Sequence, residues 1–81
     1  MYLCDLKKGE IATVTDITLS GNIRRRLQDL GLIVGTKVEC VLISYSGNPK
    51  AYRIRGALIA IRNEDAVKIQ IRKEFRNEFI R

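Results

Sequence analysis

Residues 20–40 constrain the fold of this chain most, because they combine a helix start, a helix stop and a strand start. Ser20 and Asn22 are both competent helix caps, since a short side-chain oxygen accepts hydrogen bonds from the first free backbone N–H groups. Apolar side chains then recur at helical spacing and share one face, at Ile23, Leu27 and Leu30. A short amphipathic helix is therefore predicted directly after Ser20.

The helix is predicted to stop at Gly31, which suits the left-handed residue after a helix. Leu32 is then placed to fold back onto the last turn, and Gly35 marks a second turn. Apolar residues alternate beyond that turn, at Val38, Cys40 and Leu42. The segment thus predicts a compact connection from a helix to a strand.

Strand patterns occupy much of the remaining chain, over residues 10–17, 37–45, 51–55, 58–62 and 67–72. The first strand has apolar residues on both faces, which a bulge or burial on both faces would explain. The second also has two apolar faces, which indicates a long, bent strand. Asn63 is predicted to cap a one-turn helix before the last strand. Short strands, tight turns and one inserted helix predict a mostly β protein, a small barrel of about five strands.

Size and charge limit the classes of protein to be considered. A chain of 81 residues forms one domain, and its net charge of +6 favours anionic partners such as nucleic acid, a membrane surface or an acidic protein. No apolar run reaches the roughly 20 residues that span a bilayer, and the N-terminus does not resemble a signal peptide. We expect Cys4 and Cys40 to be buried or half-buried thiols in a reducing cytoplasm.

The chain lacks the residues of common catalytic and metal sites. It contains no histidine, and its nine carboxylates are dispersed except for Glu64 and Asp65, which fit the start of a short helix. Glycine-rich phosphate loops and nucleophile motifs are absent from the sequence. These features predict a binding module without cofactor or metal ligands, and not an enzyme.

Three segments together resemble the FeoA family of bacterial ferrous-iron uptake proteins. The segment RRRLQDLGLIVGTKVEC resembles the family signature, L-x-x-L-K-K-G-E-x-A resembles its opening, and GNPKAYRIRG with LIAIRNEDAVKIQI resembles its later strands. The likeness covers residues 3–72, and departs from the family at Val34, usually proline, and at Asn48, commonly aspartate. We expect one domain over residues 1–72 and a tail over residues 73–81, where Phe75 and Phe79 form a short helix or the tail is disordered.

The resemblance implies an SH3-like β-barrel with a helix packed on one end. It also implies a non-catalytic accessory protein that acts with FeoB, a membrane permease bearing a cytosolic GTPase domain. Such a protein would be cytoplasmic and would reach the inner face of the membrane through its partner. The same domain occurs in metal-dependent repressors, where it behaves as an interaction module.

A docking surface for the permease is predicted at the helix and its exit, with the adjoining loop. Its residues are Arg24, Arg25, Gln28, Leu32, Ile33, Tyr45 and Pro49. The arginines would orient an acidic partner, while Leu32 or Ile33 would supply apolar anchorage. A purely structural interpretation stays open: Leu32 as a cap contact, Ile33 as a core residue, and the arginines as a solvated face with an Arg25–Asp29 pair.

Two other functions are compatible with the sequence. A basic SH3-like barrel could bind nucleic acid, although aromatic residues for stacking on bases are few and the case rests on charge. Surface carboxylates could also sense a divalent transition metal. Neither alternative accounts for the order of the family motifs.

Overall fold

A five-stranded antiparallel sheet with two helices makes up the computed structural model, which describes residues 1–74. The strands are β1 (Ile11–Ile17), β2 (Lys37–Ile43), β3 (Lys50–Ile54), β4 (Ala57–Ile61) and β5 (Ile69–Lys73), in the order β4-β3-β2-β1-β5. Helix α1 (Gly21–Asp29) joins β1 to β2, and the one-turn helix α2 (Asn63–Ala66) precedes β5. The predicted fold class is confirmed. Phe75 and Phe79, whose segment was predicted to be a short helix or disordered, lie outside the described residues.

Bulges interrupt the regular pairing of β1 and β2. The register of β1 against β5 shifts between Val14 and Asp16, so the bulge that β1's two apolar faces suggested is present. A second shift in β2 lies between Cys40 and Leu42. It turns Leu42 outward to 49% exposure, so the predicted common face of Val38, Cys40 and Leu42 is wrong. The strand also ends at Ile43, two residues earlier than predicted.

One hydrophobic core receives side chains from all five strands, helix α1 and the N-terminal segment. Its largest member, Tyr52, donates a 3.4 Å hydrogen bond from its hydroxyl to the Leu3 carbonyl. Burial raises the pKa of the Tyr52 phenol well above its usual range. Cys40 is buried and Cys4 half-buried, both as free thiols, as predicted.

The end of α1 is fixed by the predicted glycine stop. Gly31 has a φ of 105°, and the N–H of Leu32 donates to the Leu27 carbonyl at 2.9 Å. With the bond from Gly31 N–H to the Gln28 carbonyl, these contacts form a Schellman motif. At the other end, Ser20 occupies the N-cap position, but its side chain makes no capping bond. Leu30 is exposed, so its predicted place on the buried stripe is wrong.

The short helix α2 is capped from a distant turn. The Asn48 side-chain carbonyl accepts from the Asn63 backbone N–H at 2.9 Å, while Asn63 Nδ2 donates to the Gly47 carbonyl. Arg62 occupies the N-cap position. The prediction that Asn63 caps α2 is therefore wrong: its side chain instead ties the helix to the β2–β3 connection.

The two outer strands of the sheet, β4 and β5, differ in whether another segment of the described chain pairs with the outer edge. Residues 1 and 2 cover β5, where the Ile71 N–H donates to the Met1 carbonyl and Tyr2 bridges to Gln70. Within residues 1–74, no strand pairs with the outer edge of β4. None of the described helices has the length and apolar character needed to cross a membrane.

Candidate docking surface

Exposed apolar side chains gather where α1 ends and the chain turns towards β2. Ile33 is 42% exposed and Val34 59% exposed, and Leu30 is exposed beside them in sequence. Large apolar side chains in a contiguous exposed group are typical of interaction sites. We call Arg25, Gln28, Leu30, Ile33 and Val34 the helix-exit surface.

Hydrogen bonds hold the loop that carries Ile33 and Val34. The Thr36 hydroxyl donates to the Gly31 carbonyl at 3.0 Å and accepts from the Ile33 N–H at 3.3 Å. Gly35 and Thr36 also exchange backbone hydrogen bonds with Val14 of β1. The loop is therefore attached to the sheet at one end and to the helix at the other.

Leu32 and Ile33 point in opposite directions from adjacent positions. Leu32 is only 1% exposed, so it belongs to the core and cannot act as the predicted surface anchor. Its burial follows from the Schellman motif, which folds the residue after the glycine back onto the helix. Ile33 is exposed, so the interpretation of Ile33 as a core residue is wrong. Of the two predicted apolar anchors, only Ile33 is accessible.

Arg24 is engaged in holding the helix in place. Its Nη1 donates to the carbonyls of Ile17 and Leu19, each at 3.1 Å. These carbonyls lie at the end of β1 and in the connection to α1. Two of the five guanidinium N–H donors are used in these bonds, so Arg24 fastens the helix to the end of β1 although the residue remains exposed.

Arg25 and Arg26 are exposed on the outer face of α1. Neither forms an ion pair within the described part of the chain, whose three ion pairs join Lys37 to Glu74, Arg53 to Glu39 and Lys73 to Glu10. The Arg25–Asp29 pair considered from the sequence is not formed. The outer face of α1, which also carries Asp29, therefore presents a net positive charge.

A small cavity lies between α1 and the end of β1. Its volume is about 110 Å³, and its lining includes Gln28, Ile33 and Val34 together with Arg24. A space of this size accommodates an apolar side chain rather than a whole small molecule. The structure thus brings Gln28 and Ile33 together, as the predicted surface requires.

Tyr45 and Pro49 lie away from this surface. They belong to the connection after Ile43, whereas the helix exit leads into Lys37, so the seven-residue strand β2 separates them. Such a strand spans about 20 Å. The predicted loop therefore does not adjoin the helix exit. Tyr45 is fully exposed, and Pro49 lines a separate groove with Leu42 and Ile43.

The Glu10 carboxylate serves the fold. Glu10 pairs with the Lys73 ammonium and accepts from the Lys7 N–H at 2.7 Å, and these contacts lower the pKa of Glu10. No group of three or more cysteine or carboxylate side chains within residues 1–74 is arranged to hold a metal ion.

Comparison with known proteins supplies a family and a fold. A family model of the FeoA domain matches residues 1–73. The solution structure of FeoA from Chlorobium tepidum is 32% identical, with a TM-score of 0.88 over 99% of this chain and 76% of that one. Zinc-complexed FeoA from Stenotrophomonas maltophilia, described as a prokaryotic SH3 domain protein, is 28% identical, with a TM-score of 0.75 over 89% of each chain. The sheet is thus SH3-like.

A curated relative joins two proteins in one polypeptide. The Fe(2+) transport protein A/Fe(2+) transporter FeoB fusion protein of Porphyromonas gingivalis is 30% identical over 71 residues. The match covers 88% of this chain but only 8% of the fusion protein. The present chain therefore spans a small part of that relative's length.

Proposed function

The chain belongs to the FeoA family of ferrous-iron transport proteins, and on that premise we propose that it is a non-catalytic accessory protein that docks onto a FeoB-type permease. The observation that carries this proposal is the helix-exit surface, where exposed apolar side chains lie beside Arg25, which forms no ion pair within residues 1–74. An accessory protein of this kind acts in the cytoplasm and reaches the membrane through its partner.

The fusion protein of Porphyromonas gingivalis supports the choice of partner. Joining two chains raises the effective concentration of one at the other, which is useful when the two act together. Where FeoA and FeoB are separate chains, FeoA has to find its partner by diffusion. An exposed apolar surface bordered by charge would serve that purpose.

Two kinds of contact at the helix-exit surface would contribute to docking, charge attraction and apolar burial. Arg25 would accelerate and orient the approach of an acidic partner, because long-range attraction acts mainly on the association rate. Ile33 and Val34 would supply apolar area that leaves water on contact, which acts mainly on the dissociation rate. Arg24 contributes by holding the helix in position, and the separate Tyr45 and Pro49 are not required.

The test is a binding measurement with the whole permease in detergent or nanodiscs. We expect Ile33→Glu and Arg25→Glu each to weaken binding about tenfold or more, in the range typical of important interface residues. Lys8→Glu is the matched charge reversal, since Lys8 is exposed and lies outside α1 and its exit. Unchanged binding by both variants contradicts the surface, whereas failure of the wild type to bind contradicts the function.

A further inference from the structure

The outer edge of β4 presents backbone groups that no strand within residues 1–74 pairs with. Ile54 and Ala57 flank the two-residue turn formed by Arg55 and Gly56, both with positive φ, as in a type I′ hairpin. Residues that flank such a turn hydrogen-bond to each other, so pairing alternates along the two strands. The N–H and C=O groups of Leu58 and Ala60 consequently point away from β3.

This edge lacks the devices that usually prevent strand pairing. Natural edge strands carry lysine, proline, bulges or a covering segment. The sequence of β4 is ALIAI, its register with β3 is unbroken, and Leu58 is 55% exposed. The opposite edge at β5 is covered by residues 1 and 2. Within the described residues this edge is uncovered, regular and apolar, which makes it a template for another strand.

A groove beside the edge would receive side chains of an added strand. Leu42, Ala51 and Ala60 are successive cross-strand partners, so they form one row that ends at the β4 edge. The two alanines leave a depression of about 340 Å³, which Ile43 and Pro49 also line. In strand addition, the backbone supplies affinity and such depressions supply specificity.

Charge at the two ends of β4 indicates which strand fits. Arg55 and Arg62 bracket the strand, and neither is in an ion pair within residues 1–74. If two copies paired through this edge, Leu58 would face Ala60 of the other copy. Arg62 would then meet the turn that carries Arg55, and two such repulsive contacts would form. A segment with acidic ends avoids this repulsion.

We propose that β4 accepts an extended segment of a partner protein as a sixth strand, with alternating apolar residues in its middle and acidic residues at both ends. The backbone of Leu58 and Ala60 would hold the segment, and the alanine row would take its apolar side chains. This contact is additional to the helix-exit surface and is tested without the permease.

The test uses the full-length chain, labelled with ¹⁵N, and a synthetic peptide of alternating threonine and valine with two glutamates at each end. We expect the peptide to bind and to slow hydrogen exchange of the Leu58 and Ala60 amides about tenfold or more. A matched peptide with lysines in place of the glutamates should bind at least about tenfold more weakly. Arg62→Glu should reduce that preference, because Arg55 still attracts the glutamates at the other end.

Proline substitution separates backbone pairing from side-chain contact. Ala60→Pro removes an outward N–H without breaking a bond to β3 and should abolish binding, whereas Ala60→Ser keeps the N–H and should bind. If Ala60→Pro does not fold, exchange in the wild type decides. The proposal is overturned by binding that leaves both amides unchanged, by equal affinity for the lysine peptide, or by no binding. Protection of both amides in the free chain, as monomer or as dimer, overturns it as well.

Discussion

The side chain of Arg55 lies over Gly31, so that a β-carbon built on Gly31 would stand 2.5 Å from Arg55 Cδ. The contact joins the β3–β4 turn to the end of α1, two parts of the chain that are far apart in sequence. It also places a cation near the helix C-terminus, where the backbone dipole favours positive charge.

Gly31→Ala should therefore destabilise the protein for two reasons. The left-handed φ costs about 1–2 kcal/mol for a residue with a β-carbon, and displacement of Arg55 adds to this. Gly35→Ala is the control, because Gly35 has a φ of 95° but nothing within 4 Å of an added β-carbon. Urea denaturation should show a larger loss of unfolding free energy for Gly31→Ala than for Gly35→Ala. When Arg55→Ala is also present, Gly31→Ala should cost no more than Gly35→Ala. Equal losses for the two glycines would contradict the contact.

Adjacent arginines on α1 should behave differently when replaced. Arg24→Gln removes the two bonds to the Ile17 and Leu19 carbonyls and should lower the free energy of unfolding by about 1–2 kcal/mol. Arg25→Gln should change it by less than about 0.5 kcal/mol, since Arg25 is exposed and unpaired among the described residues. Thermal and urea denaturation measure both, and a reversed order would refute the anchoring role of Arg24.

Acid should weaken the contact between Glu10 and Lys73. Their ion pair and the Lys7 N–H lower the pKa of Glu10 in the folded state below its unfolded value. The carboxylate therefore contributes stability above the unfolded pKa and loses it as pH falls through the folded pKa. The advantage of the wild type over Glu10→Gln, measured by denaturation, should disappear on acidification. In Lys73→Met, NMR titration should place the Glu10 pKa closer to its usual value; an unmoved pKa would contradict the pairing.

The two thiols should differ in reactivity. Burial raises the pKa of Cys40, so little thiolate is available and no reagent reaches it in the folded state. In the Cys4→Ser variant, a thiol reagent at mildly alkaline pH should label Cys40 about 100-fold more slowly than in the unfolded chain. Labelling rates measured at increasing urea concentrations give the rate for the unfolded chain. Equal labelling rates in the folded and unfolded chains would mean that the core around Cys40 opens readily, and would contradict the prediction.

Local patterns predicted the parts of the structure that depend on neighbouring residues. Gly31 ends α1 through bonds to Leu27 and Gln28 in the preceding turn, so its role depends mainly on residues close to it in sequence. The outward turn of Leu42 could not be anticipated in the same way. It depends on a bulge against β3, and the pairing register of two strands is not written in either strand alone.

Side-chain contacts between residues far apart in sequence could not be predicted from local patterns either. Asn48 caps α2 across 15 residues, and a sequence pattern assigned that role to Asn63 because it stands beside the helix. The observed contact explains why an aspartate would also suit position 48, since its carboxylate can accept the same bond. The role of Arg24 could not be predicted from local patterns either, because the carbonyls that it bonds are identified only once the end of β1 is located.

The Thr36 hydroxyl, which bridges the Gly31 carbonyl and the Ile33 N–H, has a consequence for recognition. Its hydrogen bonds hold the loop beneath Ile33 and Val34 in one conformation in the folded protein. Little additional conformational entropy is therefore lost when these side chains contact a partner. A rigid surface of this kind gains affinity from preorganisation. In Thr36→Val, binding would weaken although every residue at the surface is unchanged.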